Sequence, residues 1–235
     1  MPTTEVSILS WNIRQGGGSR VDGILEAIRV DGSPILVLSE FRNNDRGLAI
    51  RSTLLKRGYG YQVVSAAQGP ENSVLIASRF PCGSALFPTA DPVYANSIVR
   101  ADLPVCRLYG VYLPHKKKHR LFDFLLEDEL DDEEPAIITG DFNSGKNGID
   151  QAGDSFWYSD KLTALEKRGY FDAFREIHED SRVYSWFSHQ GNGYRYDHTY
   201  LHAALKPILK DCFYIHEWRK EGLSDHSAMK VVLGL

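Results

Sequence analysis

The sequence predicts an α/β sandwich, two mixed β-sheets stacked face to face and flanked by helices. Short β-branched apolar runs bounded by Gly, Pro, Asn and Asp outnumber the amphipathic helical stretches about two to one, more strand than a plain βαβ alternation supplies. The chain is also long enough: at 235 residues and 43% hydrophobic, it can bury roughly 70% of its unfolded surface around a core that needs neither metal nor disulfide.

In chain order, strands are expected at VSILSW (6–11), ILVLSE (35–40), YQVVSA (61–66), SVLIAS (73–78), SIVRADL (97–103), RLYGVYL (107–113), AIITGD (136–141), RYDHTYLH (195–202) and AMKVVLGL (228–235). Helices are expected from the 3.6-residue periodicity of VDGILEAIRV (21–30), LAIRSTLLKRG (48–58), LFDFLLEDEL (121–130) and SDKLTALEKRG (159–169). No repeat and no Gly/Ser-rich or Pro-rich linker divides the chain, so residues 1–235 are expected to form a single domain.

Composition excludes several classes. A 25% charged chain with a formal charge of -4 is neither disordered nor coated in basic charge. Cys82, Cys106 and Cys212 are odd in number and form no CxxC pair, which argues against a disulfide framework or a closed zinc site. No apolar run approaches the roughly 20 residues of a membrane helix, and the N-terminal stretch lacks the basic and apolar regions of a signal peptide. A cytoplasmic, monomeric protein without a membrane partner is the expectation.

The polar residues that close the apolar runs carry the functional signal. VSILSW runs into Asn12, ILVLS into Glu40, and AIITG into Asp141 and Asn143; Asp197 lies in RYDHTYLH, and Asp225 and His226 precede AMKVVL. Each alone reads as a turn or capping residue. Together they form a set of carboxylates that needs partners, since an unpaired buried charge costs several kcal/mol. Hard oxygen donors without cysteine suit Mg²⁺ or Mn²⁺, and phosphoryl transfer is the chemistry that follows: an Asp to activate water, an Asn to orient it, and a His held by an Asp to stabilise charge on phosphorus.

As a set these motifs resemble the endonuclease/exonuclease/phosphatase superfamily of metal-dependent phosphoesterases with a DNase I-like fold. The matching segments are SWNIRQ, LSEFR, YGVYLPH, ITGDFNS, GYRYDHTYLH and LSDHSAM. Within it, the stretch from KLTALEKRGYFDAF through YSWFSHQGNGYRYDHTYL is similar to the exonuclease III and abasic-site endonuclease branch. Ser39, Tyr194 and His115 stand where that branch usually has Gln, Trp, and Asn or Gln, and Asn12-Ile13-Arg14 with Glu40-Phe41-Arg42 is similar to the DNase I branch.

The resemblance implies a four-layered sandwich with the active site at one end of the sheets. It implies that Glu40 is the main metal ligand with Asn12 and Asp225 near it, that Asp141 positions or deprotonates water beside Asn143, and that His226, oriented by Asp197, binds a nonbridging phosphate oxygen. Tyr112 would assist the phosphate or the leaving oxygen, and His115 would add a polar group to the phosphate site. DNA is the expected substrate, by repair-type exonuclease or abasic-site endonuclease action; RNA, a protein–DNA adduct, an inositol phosphate or a phospholipid headgroup is the alternative with the same chemistry.

Substrate contact is further expected from Arg14 and Arg42, from the basic run Lys116, Lys117, Lys118 and Arg120, and from Trp186, Tyr194 and Arg195. Cations at a helix start oppose the helix dipole, which favours a phosphate role for that run. His198 and His202 share a strand face, but without a third clustered ligand they read as packing residues. Gly140 to Asn147, GDFNSGKN, falls one residue short of a P-loop and leaves a nucleotide triphosphatase as a distant alternative.

Overall fold

The computed structural model describes residues 4–65, 67, 69–87, 97–115, 118–131 and 134–235. It consists of two six-stranded mixed sheets. In the first the order is β13-β14-β1-β2-β4-β3, from strands Leu209–Ile215, Ala228–Gly234, Glu5–Asn12, Ile35–Phe41, Ser73–Ser78 and Tyr61–Val64. In the second it is β5-β6-β7-β8-β12-β9, from Gly83–Leu86, Ile98–Asp102, Arg107–Tyr112, Ala136–Asp141, Asp197–His202 and Tyr170–Asp172. The β1–β2 and β7–β8 pairs are parallel, and the other pairs within the two sheets are antiparallel.

The period-two geometry of a strand explains why these sequences are apolar on both faces. In β2, Ile35 and Val37 point into the core between the sheets, while Leu36 and Leu38 point outward. The outward set packs under helices α1 (Val21–Asp31) and α2 (Asp45–Lys56) through Ile24, Ile28, Ile50 and Leu54. On the far side Tyr109, Ile138 and Tyr200 pack under α3 (His119–Asp123) and α4 (Ser159–Lys167) through Leu121, Phe122, Leu162 and Leu165. The result is the four-layered sandwich expected. The sheets approach closely at Gly110, where a Cβ would lie 2.9 Å from the side chains of Val37 and Val74.

Every strand and helix expected from the sequence is present, with shifted bounds. The helix expected at 121–130 starts two residues earlier, and its Phe124–Glu129 portion is wound as a π-helix. The elements without a sequence signal are edge pieces: β5, the three-residue β9, a two-stranded hairpin of β10 (Trp186–Phe187) and β11 (Gly193–Tyr194), and β13, whose register shifts between Leu209 and Asp211. Short helices α5 (Ala173–Ile177) and α6 (Glu217–Lys220) complete the chain. Among the described residues no helix is long and apolar enough to cross a membrane.

The P-loop reading fails here. After β8 the GDFNSGKN segment leads into turns, and the next helix begins only at Ser159, so no helix N-terminus stands where a cradled phosphate would need one. Lys146, the lysine of that near-match, is paired with Glu166.

Candidate active site

The central strands converge on one end of the sandwich. Asn12 closes β1, Glu40 lies one residue from the end of β2, Tyr112 closes β7, and Asp141 closes β8. Asp197 opens β12 directly opposite Asp141, Tyr112 is the parallel partner of Asp141, and Asp225 and His226 sit just before β14, beside β1. Strand pairing therefore places residues scattered from 12 to 226 within one small volume.

The local backbone is built for this. Glu40 has a φ of 52° at a register shift between Ser39 and Phe41, and Arg14, Gln15 and Asn143 also have positive φ. Among the described residues, four of the five non-glycine residues in that sparsely populated region gather at the site, where strain of order 1–3 kcal/mol per residue persists only if the surroundings hold it. Gly140 explains the glycine before Asp141: its φ is 147°, and a Cβ there would lie 1.9 Å from the Val111 carbonyl oxygen. Ser185 ties the segments together by accepting from the backbone N–H groups of Tyr196 and Asp197 and by receiving the Ser227 N–H at its carbonyl. Ser224 Oγ donates to the Asn12 carbonyl at 2.6 Å and accepts from the His226 N–H.

Asp141 is 1% exposed and accepts from Asn12 Nδ2 at 2.8 Å, from the Asn143 backbone N–H at 2.8 Å and from Asn143 Nδ2 at 3.1 Å. Burial, together with the nearby Asp197 charge, raises its carboxyl above the ordinary range even though His226 opposes the shift. His226 Nδ1 meets Asp197 Oδ2 at 2.8 Å. Burial works against a charged imidazole, but Asp197 and Asp141 outweigh it and raise the group. Tyr112, in reach of Asn72 Nδ2 at 3.4 Å, is held in the protonated phenol form by burial and by Glu40 and Asp141.

Ligating atoms of Asp141, Asp197 and His226 lie within 4.8 Å of one another. A protonated imidazole has no lone pair for a metal, and Mg²⁺ or Mn²⁺ prefers oxygen, so that trio suits proton handling better than ligation. The adjoining group is the better cation site: Asn12 Nδ2 lies 3.2 Å from Glu40 Oε1, and Asp225 Oδ1 is buried without a hydrogen-bond partner. The carboxylates of Glu40 and Asp225 are donors of the right hardness, and Asn12, whose Oδ1 accepts from the Arg14 N–H and whose Nδ2 donates to Glu40 and Asp141, would orient those carboxylates or have to turn its amide to ligate.

The remaining expected contacts divide. Arg14 is exposed and its Nε lies 3.6 Å from Asp225 Oδ2; Arg42 donates to Asn72 Oδ1 at 2.8 Å on the same rim. His115, Trp186 and Tyr194 line a cavity of about 360 Å³ next to Asn143. Arg120 is exposed at the start of α3. Lys116 and Lys117 lie outside the described residues.

Two expectations need correction. Lys118 is no exposed cation for the DNA backbone: it is 1% exposed, its Nζ donates to the Asn143 carbonyl at 2.6 Å and to the His115 carbonyl at 3.3 Å, and burial lowers its ammonium to about 8. Arg195 is fully buried and cannot meet a substrate; it pairs with Asp150 at 2.8 Å and with Asp172 at 2.6 Å. Strand alternation would place Arg195 on the face of Asp197, but residues two apart share a face only while the strand is regular, and Arg195 precedes β12. His198, as expected, is a packing residue, bonded to Asp172 and to the Ser144 carbonyl.

Sequence reasoning missed Asn72, Phe156 and Trp157. The run SFWY in a loop rich in Gly, Asp and Ser was the available signal, since three adjacent aromatics outside any periodic element have no core face to fill.

With this geometry in view, comparison with known proteins is informative. The endonuclease/exonuclease/phosphatase family matches residues 9–226. An AP endonuclease from Archaeoglobus fulgidus shares the fold with a TM-score of 0.82 at 21% identity, covering 98% of this chain and 100% of that one. A 3′ phosphatase (NExo) from Neisseria, bound to a product DNA hairpin, does so with a TM-score of 0.83 at 21% identity and the same coverage. An exodeoxyribonuclease of Bacillus subtilis (strain 168) is 29% identical over 107 residues, 39% of this chain and 42% of its own length, so the match spans less than half of that relative.

Proposed function

Because this chain belongs to the endonuclease/exonuclease/phosphatase family, we propose that it is a divalent-metal-dependent phosphodiesterase that hydrolyses DNA, as a repair-type exonuclease or abasic-site endonuclease. The observation that carries the reading is the pairing of Asp141, held by Asn12 and Asn143, with the His226–Asp197 dyad across the β8–β12 ladder.

In this reading Asp141, whose carboxyl is raised toward neutrality, takes the proton of the attacking water while Asn143 keeps the carboxylate oriented. The water oxygen bonds to phosphorus as the ester bond opposite it breaks. His226 presents a charged imidazole, kept so by Asp197, to the nonbridging oxygen on which negative charge builds. The Tyr112 phenol stays protonated and donates to the phosphate or to the departing oxygen. Mg²⁺ or Mn²⁺ held by Glu40, with Asn12 and Asp225 beside it, would supply positive charge to the phosphate oxygens. Arg14 and Arg42 on the rim fit a polyanionic substrate, and the DNA bound by the Neisseria relative supports that choice of substrate.

The test is cleavage of two matched duplexes, one intact and one with a single abasic site, in Mg²⁺, Mn²⁺ or EDTA, with Asp141→Ala as the control. Metal-dependent incision at the abasic site alone assigns abasic-site endonuclease action, and degradation of both from their ends assigns an exonuclease. Cleavage of neither duplex, with turnover of another phosphoester, removes DNA as the substrate and keeps the chemistry.

A further inference from the structure

The cavity beside the dyad is walled by flat aromatic rings that the hydrolytic step does not use. Trp186, Tyr194, Tyr196 and Phe156 form its walls, Trp157 stands at its rim, and Lys118 lies on the side toward Asn143. Its volume, about 360 Å³, lies at the lower end of the range for pockets that hold whole small molecules. The rings form one continuous cluster: Tyr194 and Tyr196 are parallel to within 9° with centroids 5.4 Å apart, and Trp186 lies 5.5 Å from Tyr196. The cluster runs up to the site itself, since Trp186 and Tyr196 are 6.4 Å and 6.5 Å from the His226 ring.

Trp157 sharpens the picture. It is 64% exposed, while its neighbour Phe156 is 9% exposed and edges against Tyr194 and Tyr196. A tryptophan held at the mouth of an aromatic cavity by a buried neighbour, and left in water, is poised for an apolar partner. A phosphate asks for donors, which the opposite side of the site provides. Broad π faces fit a planar π system, and every nucleobase offers one whatever the sequence. Lys118 lines the same cavity with an ammonium whose three donors meet two carbonyls, on the wall where a base would turn its carbonyl oxygens or ring nitrogens.

We propose that this cavity takes the intact nucleobase of the nucleotide at the cleaved bond, unstacked from its strand, with Trp157 closing over it. The inference rests on the nuclease reading above and narrows it: the enzyme prefers an unpaired nucleotide carrying its base over an abasic one or a base held in a duplex, which is the behaviour of an exonuclease on frayed or single-stranded ends. An unpaired base enters without the unstacking and unpairing that a duplex base requires.

The experiment compares the affinity of the whole protein, by fluorescence anisotropy in EDTA, for an oligothymidylate strand and for a fully abasic strand of the same length and charge. Wild type should bind the base-bearing strand about tenfold more tightly, and Trp157→Ala should collapse that ratio toward one. Trp157 is exposed, so its replacement leaves the core intact, and Tyr196→Leu gives a second reading from inside the cavity. Equal affinities in the wild type, or a ratio that survives both substitutions, overturn the proposal. Equal affinities with cleavage of either strand on adding Mn²⁺ overturn this inference alone; no binding and no cleavage of any oligonucleotide overturn the nuclease reading with it.

Discussion

Two buried clusters of charge sit within a few residues of each other along β12 and the segment before it, and they behave in opposite ways. One is Arg195 with Asp150, Asp172, Arg175 and His198; the other is Asp141, Asp197 and His226, with Glu40, Asn12 and Asp225 beside them. In the first, two guanidinium groups meet two carboxylates: Arg195 is bidentate to Asp150 through Nε at 2.8 Å and Nη2 at 3.0 Å, and Arg175 bonds the same carboxylate. The backbone finishes the pairing, with Lys146 N–H donating to Asp150 and the Phe174 and Arg175 N–H groups capped by Asp172. Only Nη1 of Arg195 and Nε of Arg175 lack partners in it. In the second cluster, carboxylates outnumber buried cations, Asp141 is raised instead of lowered, and Asp225 keeps an orphaned oxygen. Residue types alone do not separate a structural ion cluster from a reaction centre. The balance of charge does.

The largest expected effect lies in the unbalanced cluster. Asp141→Ala and His226→Ala should each lower kcat/KM by about 10³-fold or more, a loss in the range of a removed general base or charge-stabilising donor. Thermal unfolding of Asp141→Ala should move little, because Asp141 departs from a site with surplus negative charge, whereas His226→Ala leaves the buried Asp197 carboxylate without its partner and should melt earlier. Steady-state rates and melting curves on the same preparations check both halves, and near-wild-type turnover in either variant removes the assigned roles. The pH dependence follows from the same group. Activity should rise as Asp141 loses its proton, at a pH above the ordinary carboxylate range; an acid limb near pH 4 would mean that Asp141 is not the base.

Asp172→Asn should do the reverse. It leaves Arg195 buried with one carboxylate fewer, and breaking a buried pair in this way costs about 3–5 kcal/mol, read as a lower urea midpoint, while the folded fraction keeps its turnover. Burial alone would raise the Asp172 carboxyl, but Arg195 and His198 overcome it and hold the group well below the ordinary carboxylate range. A carboxyl depressed in the folded state stabilises fully above its unfolded pKa of about 4 and loses that contribution as the pH falls toward its folded value. Wild-type stability should therefore drop steeply below about pH 4, and the Asp172→Asn variant should show a shallower slope. Parallel slopes would show that this pair does not govern acid unfolding.

The fold, and the residues that it gathers at the candidate site, were legible because the signals were local and strong. Runs such as ILVLS and AIITG are apolar on both faces, which a buried central strand demands, and polar residues that close such runs stand out. Edge strands carry weaker patterns: in β13, LKDCFYI mixes charge into its alternation because one side of the strand has no neighbour. Lys118 was misread for a similar reason. HKKKHR reads as an exposed basic run that meets phosphate, and nothing local shows that one lysine turns inward, because its partners are carbonyls of His115 and of Asn143, which stands 25 residues on.

That inward lysine supplies a smaller, measurable effect. Lys118→Met removes the donor that holds the Asn143 carbonyl at 2.6 Å, and a displaced Asn143 should lower kcat by about tenfold, the scale of a lost charge-assisted hydrogen bond. Lys118→Arg should restore only part of it, since a planar fork replaces a compact ammonium. The effect should fall on kcat with little change in KM; a change in KM alone would make Lys118 a substrate contact and not a positioning residue.

Arg42 and Arg195 close the contrast, since both read as substrate contacts in the sequence and only one can be. Arg42 is half-buried on the rim, where Asn72 accepts from its Nε at 2.8 Å and itself reaches the Tyr112 hydroxyl at 3.4 Å. On the proposed reading, a phosphate that meets the Tyr112 hydroxyl would come within reach of this guanidinium. Arg42→Gln should leave stability within about 0.5 kcal/mol, as surface changes do, and reduce the salt slope of DNA binding by about one unit. Arg195→Gln should leave that slope unchanged in whatever fraction still folds, because a fully buried guanidinium displaces no counterion from DNA. A slope unaltered by Arg42→Gln would place the DNA backbone elsewhere on the rim, with Arg14, exposed beside Asp225, as the next cation to neutralise.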